Sequence, residues 1–332
     1  MSEPLRIGVL GTGRIGRMHA DYIARHTPRA VLSAVSDVNV EVAAAVAAEY
    51  GVPALSGEEV IAASDAVAIC TSTDTHVGYI VAAAEAGKAI FCEKPVSLDL
   101  AEVDRAAEVL ERTGVPFMVG FNRRFDPGHR AVRDAVLQGR LGDVRVARIT
   151  SRDPSPPPIE YVKVSGGIWV DMMIHDFDMA AFVVGSPVVS VWAQGANLID
   201  PAIGEAGDVD VAVAVLTHAN GAITTIDVSR EAPYGYDQRV ELLGSLGMAV
   251  SDNERLNRSE IYLADETHKP VLPNFFIERY GVAYLEQCSY LTDYVLYGGP
   301  STVSLADGRA PVVLAAAAAE SARTGKTVTL PI

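Results

Sequence analysis

An apolar segment near the middle of the chain carries ionisable side chains at helical spacing. Residues 166–180 read GGIWVDMMIHDFDMA and include Asp171, His175, Asp176 and Asp178. Burying such groups is costly unless they are paired or take part in chemistry. Asp171, His175 and Asp178 stand at i, i+4 and i+7, which predicts that they share one stripe of a single helix.

An acid next to an imidazole can orient the ring and stabilise its protonated form. Histidine titrates near neutrality, so His175 is a candidate to accept the proton that an alcohol releases when it loses a hydride. Two alternatives stay open: a structural His–Asp pair in a core, and a metal site, because HDFD offers nitrogen and oxygen ligands. Tight N/S ligand spacings are missing, so we expect no metal. We expect Asp176 and Asp178 to be structural.

A lysine follows another apolar run. Residues 91–95 read FCEKP, which places Glu93 and Lys94 just past a predicted strand. In open α/β folds, ligands bind at the carboxyl ends of the strands. Lys94 is therefore a candidate site residue, and the alternative is a solvated surface lysine.

The first predicted strand runs into a glycine-rich turn. GTGRIG (11–16) fits G-x-G-x-x-G between that strand and the first helix. Gly11 permits the tight turn, Gly13 lets a pyrophosphate approach the backbone, and Gly16 allows close packing of helix on strand. The alternative is a glycine turn without a ligand. The predicted phosphate loop comprises Gly11, Thr12, Gly13, Arg14, Ile15 and Gly16.

The ends of later strands supply further cofactor candidates. Asp37 ends the second strand about 20 residues after Gly16, where an acid accepts hydrogen bonds from the adenosine ribose and repels a 2′-phosphate. NAD is therefore predicted over NADP, although Arg14 could reach a phosphate. TSTDTH (71–76) follows the third strand, and its side chains could contact ribose or nicotinamide. Helix capping by these residues is an equal alternative. The predicted contacts at these later strand ends are Thr71, Ser72, Thr73, His76, Glu93 and Lys94.

The pattern of apolar runs predicts two domains. Up to residue 122, short apolar strands alternate with helical segments, which predicts an α/β Rossmann domain with a doubly wound parallel sheet that binds NAD. In residues 123–332, alternating runs at 188–196, 210–218, 222–229 and 239–244 predict an α+β domain on a largely antiparallel, open-faced sheet. We expect this second domain to bind substrate and to oligomerise, and we leave open that the C-terminal helix packs back on the first.

Composition excludes several kinds of partner. The 332 residues carry a net charge of −15, which disfavours nucleic acid and anionic membranes. No apolar run approaches the roughly 18–20 residues of a membrane span, and the N-terminus lacks the pattern of a signal peptide. Cys70, Cys92 and Cys288 show no metal spacing and are expected to be buried thiols. These features predict a cytoplasmic protein.

Three motifs in this order resemble the Gfo/Idh/MocA oxidoreductases. They are GTGRIG, EKP and the GGxxxDxxIHDxD pattern of residues 166–178, and GFNRRFDPG (120–128) resembles the inositol 2-dehydrogenase branch. The resemblance covers essentially the whole chain. It implies a Rossmann domain, an open-faced sheet domain that commonly mediates tetramers, and NAD-dependent oxidation of a sugar or cyclitol. Val, Ile and Trp on both faces of runs 188–196 and 222–229 also favour an oligomer, and the resemblance implies that it is a homotetramer.

The resemblance assigns roles to individual residues. Lys94, Asp171 and His175 match the family's catalytic set, with His175 as general base, Asp171 orienting it and the substrate, and Lys94 holding the reacting hydroxyl. Which of Lys94 and His175 takes the proton stays open, because the two can titrate together. The expected substrate contacts are Lys94, Asn122, Arg123, Asp153, Asp171, Met172, His175, Tyr236 and Tyr284.

These expectations leave three hypotheses for the function. The first is an NAD-dependent oxidation of myo-inositol to 2-keto-myo-inositol (scyllo-inosose), as in inositol catabolism. Asp153 stands where inositol dehydrogenases often have asparagine, and Ser151 where histidine is common, so scyllo-inositol or a pyranose such as glucose is the second. The third is a non-catalytic NAD-binding sensor, which is disfavoured because all three catalytic positions are filled.

Overall fold

The computed structural model describes residues 3–331. They group into two compact units. The first unit holds the residues up to Asn122 together with Ala283–Val312, and the second holds Arg123–Val282 with the residues from Val313 onwards. No helix in the described part of the chain is long and apolar enough to span a membrane.

The first unit contains a parallel five-stranded sheet. Its strands are β1 (Leu5–Leu10), β2 (Ala30–Ser36), β3 (Ala66–Ile69), β4 (Ala89–Cys92) and β5 (Phe117–Val119), in the spatial order β2-β1-β3-β4-β5. Every residue of β3, β4 and β5 is buried, as expected for strands covered on both faces. The predicted Rossmann-type sheet is confirmed. The strand order reverses between β1 and β3, where open α/β sheets bind ligands.

The helices of this unit start at polar caps or glycine. They are α1 (Arg14–Asp21), which continues as a π-helical turn over Tyr22–His26, then α2 (Val40–Tyr50), α3 (Gly57–Ala63), α4 (Thr73–Glu85) and α5 (Leu100–Thr113). Asn39 and Asp99 cap α2 and α5 through their side chains. Helix α3 is absent from the sequence prediction, yet Ser56 and Glu59 form a capping box at its start.

The second unit is built on a mixed sheet of seven strands. They are β6 (Val144–Arg152), β7 (Val188–Ala196), β8 (Val211–His218), β9 (Ile223–Ser229), β10 (Asp237–Gly244), β11 (Met248–Ser251) and β14 (Val328–Thr329), in the order β11-β10-β6-β9-β8-β7-β14. The β6–β9 pair is parallel and the other pairs are antiparallel. The prediction of a largely antiparallel sheet is confirmed.

One face of this sheet is covered and the other is open. Ala212, Ala214 and Leu216 of β8 point into the core with Phe177 and Ala180, whereas the alternate residues of the strand are partly or fully exposed. The remaining elements are α6 (Pro127–Leu137), α7 (Ile159–Val162), α8 (Gly167–Asp171), α9 (Ile174–Val184), α10 (Pro201–Glu205), a hairpin of β12 (Ile261–Tyr262) and β13 (Thr267–His268), α11 (Phe276–Tyr297) and α12 (Leu305–Thr324).

The segment 166–180 forms two helices, so the prediction of a single helical stripe is wrong. The amide of Met173 bonds to the carbonyl of Ile168, five residues back, and the amide of His175 bonds to the carbonyl of Met172, three residues back. This shift in the hydrogen-bond ladder ends α8 at Asp171 and starts α9 at Ile174. Asp171 and His175 therefore lie on consecutive short helices.

Candidate active site

The glycine-rich turn in the first unit has three different glycine environments. Gly11 adopts φ +85°, and a Cβ there would lie 2.6 Å from the carbonyl oxygen of Cys70. A Cβ on Gly16 would lie 1.8 Å from the carbonyl oxygen of Gly11, so only glycine lets α1 pack this closely. A Cβ on Gly13 would meet no heavy atom within 4 Å. The fold requires Gly11 and Gly16, and Gly13 leaves space above the backbone for a ligand.

The start of α1 suits an anionic ligand. Its N-cap is Gly13, which has no side chain to accept a hydrogen bond from the first-turn amides, and no acid stands in the first turn. Amides at a helix N-terminus bind phosphate groups, and the helix dipole adds to the attraction. The residues present therefore fit the pyrophosphate of a dinucleotide.

Asp37 lies at the carboxyl end of β2 and contacts the glycine-rich turn. Its Oδ2 accepts hydrogen bonds from the Thr12 amide (2.6 Å) and the Thr12 hydroxyl (3.0 Å), and its Oδ1 accepts one from the Asn39 amide (2.9 Å). Burial opposes ionisation, but the hydrogen bonds from Asn39 and Thr12 outweigh it and hold the pKa of Asp37 below its ordinary value. The carboxylate is ionised at neutral pH, as the predicted ribose contact requires.

The loop after β3 is tied to the loop after β4. The buried ring of His76 has its Nδ1 2.8 Å from the Pro95 carbonyl oxygen and its Nε2 3.1 Å from the Thr71 carbonyl oxygen. Ser72 stands at the N-cap position of α4 without a side-chain capping hydrogen bond, and the Thr75 hydroxyl donates to that of Thr71 (2.7 Å). The geometry places His76 as a link between the two loops, and a direct contact of Thr71, Ser72, Thr73 or His76 with a cofactor stays a prediction.

The structure places a further histidine, not singled out from the sequence, in contact with the EKP motif. His19 of α1 is buried, with Nε2 2.7 Å from Glu93 Oε1 and Nδ1 3.5 Å from Cys288 Sγ. Burial disfavours the imidazolium, but the contacts with Cys288 and Glu93 outweigh burial and raise the pKa of His19 to about 10. The other Glu93 oxygen accepts from the Lys94 amide (3.3 Å). His19 and Glu93 thus hold the backbone of Lys94 at the end of β4.

In the second unit, Asp171 contacts the side chains of Arg230 and Tyr161. Its Oδ2 lies 3.1 Å from Nη1 of Arg230, and its Oδ1 accepts a hydrogen bond from the Tyr161 hydroxyl (2.8 Å). Arg230 also reaches Asp208. Neither Arg230 nor Asp208 was singled out from the sequence, where a lone arginine at the end of a strand is indistinguishable from a surface residue.

Two arginines of GFNRR pair with the other acids of the segment. Arg123 donates to Asp176 Oδ1 (2.7 Å) and to the Ser151 hydroxyl (3.1 Å). Arg124 donates to both carboxylate oxygens of Asp178 at 2.6–3.0 Å. Both pairs are buried, which fits the expectation that Asp176 and Asp178 are structural.

The predicted substrate residues of this unit share one electrostatic environment. Burial raises the pKa of Asp153 to about 6, the charge of Asp171 adds to the effect, and Arg123 and Arg230 oppose it. Burial likewise raises the pKa of Asp176 to about 6 against the effect of Arg123. A perturbed acid such as Asp153 is typical of functional sites, whereas Asp176 is sealed in its pair with Arg123. Within this unit, Asp153 and Asp171 lie in the same charged cluster as Arg123 and Arg230.

The remaining predicted residues are distributed over both units. In the second, Met172 is buried, His175 is half-buried at the start of α9, and Tyr236 packs edge-on against Tyr280. In the first, Asn122 is buried, and the ring of Tyr284 packs edge-on against His19. Among residues 3–331, no group of three His, Cys, Asp or Glu side chains is arranged to hold a metal ion.

Comparison with known proteins identifies related sequences over nearly the whole chain. The model of the oxidoreductase family with an NAD-binding Rossmann fold matches residues 5–121, and that of the GFO/IDH/MocA C-terminal domain matches residues 129–250. Inositol 2-dehydrogenase of Rhizobium meliloti is 45% identical over 98% of this chain and 99% of that protein. Myo-inositol 2-dehydrogenase of Thermotoga maritima is 44% identical over 98% of each chain.

A solved structure with ligands is also similar. The crystal structure of myo-inositol dehydrogenase from Lactobacillus casei in complex with NAD(H) and myo-inositol has a TM-score of 0.88 and 25% sequence identity. The similarity covers 99% of this chain and 97% of that one. The shared architecture therefore extends over both units.

Proposed function

The chain belongs to the GFO/IDH/MocA oxidoreductase family, and from that premise we propose that it is an NAD-dependent inositol 2-dehydrogenase. The reaction is the oxidation of myo-inositol to 2-keto-myo-inositol. The observation that carries the proposal is the 45% identity to an inositol 2-dehydrogenase over 98% of the chain, with Lys94, Asp171 and His175 all present.

In this proposal residues 1–122 bind NAD. The amides at the start of α1 hold the pyrophosphate, and Asp37 holds the adenosine ribose. The loops after β3 and β4 hold the nicotinamide end. When bound, NAD supplies the hydride acceptor, and the protein supplies binding, orientation and proton transfer.

Residues 123–332 carry most of the proposed substrate contacts and two of the three catalytic side chains. His175 takes the proton of the reacting hydroxyl, Asp171 orients the ring and the substrate, and Lys94 holds the hydroxyl oxygen. The carbon that bears this hydroxyl becomes the ketone carbon. The proposed substrate contacts beyond the catalytic set are Asn122, Arg123, Asp153, Met172, Tyr236 and Tyr284.

The assembly and compartment are part of the same proposal. We expect a homotetramer formed through the open face of the seven-stranded sheet, where Val213, Ile223 and Leu243 are exposed. The described structure leaves Cys70, Cys92 and Cys288 as thiols, which supports a cytoplasmic location.

The test is NADH formation on a panel of myo-inositol, scyllo-inositol and glucose. Turnover should be fastest on an inositol, and preference among the isomers reports on Asp153, which stands where related enzymes often have asparagine. Glucose as the best substrate would replace the inositol assignment with the pyranose one. No turnover on any polyol, with NAD still bound, would refute the proposal in favour of a cofactor sensor.

A further inference from the structure

A buried arginine outside the proposed catalytic set holds the carboxylate of Asp171. The side chain of Arg230, at the end of β9, is 0% exposed. Its Nη1 lies 3.1 Å from Asp171 Oδ2, and its Nη2 lies 2.9 Å from Asp208 Oδ2. The planar guanidinium can bridge two carboxylates in fixed directions, which a lysine ammonium cannot do.

Asp208 connects this arginine to the start of the helix that carries Asp171. Its Oδ1 accepts a hydrogen bond from the Ile168 amide (2.9 Å), in the first turn of α8. Gly167 adopts φ +74°, and a Cβ there would lie 2.8 Å from the same oxygen. The second glycine of the GG pair therefore makes room for Asp208. One buried cation thereby fixes both ends of α8.

The cluster around Asp171 contains charges of both signs. Arg230 brings one positive charge to the two carboxylates of Asp171 and Asp208. Tyr161 of α7 donates a hydrogen bond to Asp171, and Asp153 at the end of β6 is close enough to interact electrostatically with Asp171 and Arg230. His175 follows at the start of α9.

We infer that Arg230 is a positioning residue for the proposed reaction: it holds the Asp171 carboxylate in one orientation toward His175 and the substrate. The inference rests on the proposed function. Arg230 acts through Asp171, so its loss should change proton transfer and substrate orientation rather than NAD binding. Misplacement of a catalytic group by about 1 Å can cost on the order of a hundredfold in rate.

The test compares Arg230→Met with Arg230→Lys. Arg230→Met removes the cation at similar length, so kcat should fall by roughly tenfold to a hundredfold while NAD affinity stays unchanged. Removing a positive charge makes nearby groups hold their protons up to a higher pH, so the acid limb of kcat/KM against pH should move to higher pH. Arg230→Lys keeps the charge but cannot span both carboxylates, so it should lower kcat and leave the acid limb in place.

Arg279→Met is the matched control for the loss of a buried ion pair. Arg279 is also buried, and it pairs with Asp126 at 2.6 Å. This variant should lose thermal stability without moving the acid limb. If the acid limb lies at the same pH in Arg230→Met as in Arg279→Met, the inference is overturned. Should Arg230→Met fail to fold, Arg230→Lys and Asp208→Asn carry the test, and a wild-type kcat in both would overturn it.

Failure of this inference can be distinguished from failure of the proposed function. Absence of inositol turnover in the wild type refutes the proposed function. Chemical unfolding then tests the contact itself, through Arg230→Met and Asp171→Asn singly and together. A double variant less destabilised than the sum of the two supports the Arg230–Asp171 coupling, and additive effects overturn it.

Discussion

Replacing Asp37 by asparagine should weaken the preference of the enzyme for NAD over NADP. The Asp37→Asn side chain would keep a carbonyl oxygen for the Thr12 amide, which the carboxylate accepts at 2.6 Å, and would remove the negative charge. Asp37→Ala would also remove the contacts to Thr12 and Asn39, so it should weaken both cofactors. The asparagine variant therefore tests the effect of the charge while it keeps a hydrogen-bond acceptor for the loop.

The size of the effect follows from the charges. Unit charges about 4 Å apart interact by about 1 kcal/mol in water and about 4 kcal/mol at an effective dielectric constant of 20. A phosphate monoester carries nearly two negative charges at neutral pH, so repulsion by the half-buried Asp37 costs at least about 2 kcal/mol. Loss of a charged hydrogen bond to the ribose adds about 1.5 kcal/mol. Together these terms give on the order of a hundredfold preference for NAD.

The assay is kcat/KM for NAD and for NADP at saturating myo-inositol. Asp37→Asn should narrow the ratio to about fivefold, because the repulsion is gone and a neutral hydrogen bond to the ribose contributes only about 1 kcal/mol. Val38 is 97% exposed, so Val38→Arg added to Asp37→Asn should supply a cation for the 2′-phosphate and favour NADP further. Equal kcat/KM values in the wild type, or an unchanged ratio in Asp37→Asn, would refute the role given to this carboxylate.

Three further predictions concern catalysis, assembly and stability. His175→Ala should lower kcat by roughly 10²–10⁴ with NAD affinity unchanged, and adding Lys94→Ala should lower kcat little further. A near wild-type kcat in His175→Ala would contradict the proposed base. Light scattering should give a tetramer that Val213→Asp dissociates; a wild-type monomer at micromolar concentration would exclude this assembly. The folded-state pKa of His19 is raised to about 10, so the free energy of unfolding should fall by up to a few kcal/mol between about pH 6.5 and pH 10. His19→Gln should flatten this dependence on pH. An equal slope in the wild type and the variant would count against a charged His19–Glu93 pair.

The first unit could be predicted in some detail because its determinants are local. The roles of Gly11, Gly13 and Gly16 follow from their spacing after a strand, and each meets the predicted environment. The buried strands appear as continuous apolar runs. Apolar spacing does not predict helix α3, but Ser56 and Glu59 carry the spacing of a capping box, which is a local signal for its start.

The second unit was less predictable because its decisive contacts are distant in sequence. The break between α8 and α9 leaves no trace in hydrophobic spacing, since residues on both sides of it are buried. The partners that fix α8 are Asp208 and Arg230, which lie on other elements. Periodicity reports which face of a helix is apolar, and it carries no information about a partner that joins from elsewhere in the chain.

The three acids of the segment 166–180 differ in side-chain exposure, and this difference separates the proposed catalytic role from the structural ones. All three pair with arginine, but the side chains of Asp176 and Asp178 are 0% and 1% exposed, whereas that of Asp171 is 13% exposed. A carboxylate sealed against Arg124 cannot reach a substrate, and breaking such a pair typically costs about 3–5 kcal/mol of stability. Asp178→Asn should therefore lower the melting temperature and leave the pH profile of the folded enzyme in place. Asp171→Asn should lower kcat and shift the profile to lower pH, because it removes the negative charge that is proposed to stabilise the His175 imidazolium. Equal effects of the two variants on the pH profile would show that exposure does not separate the two roles.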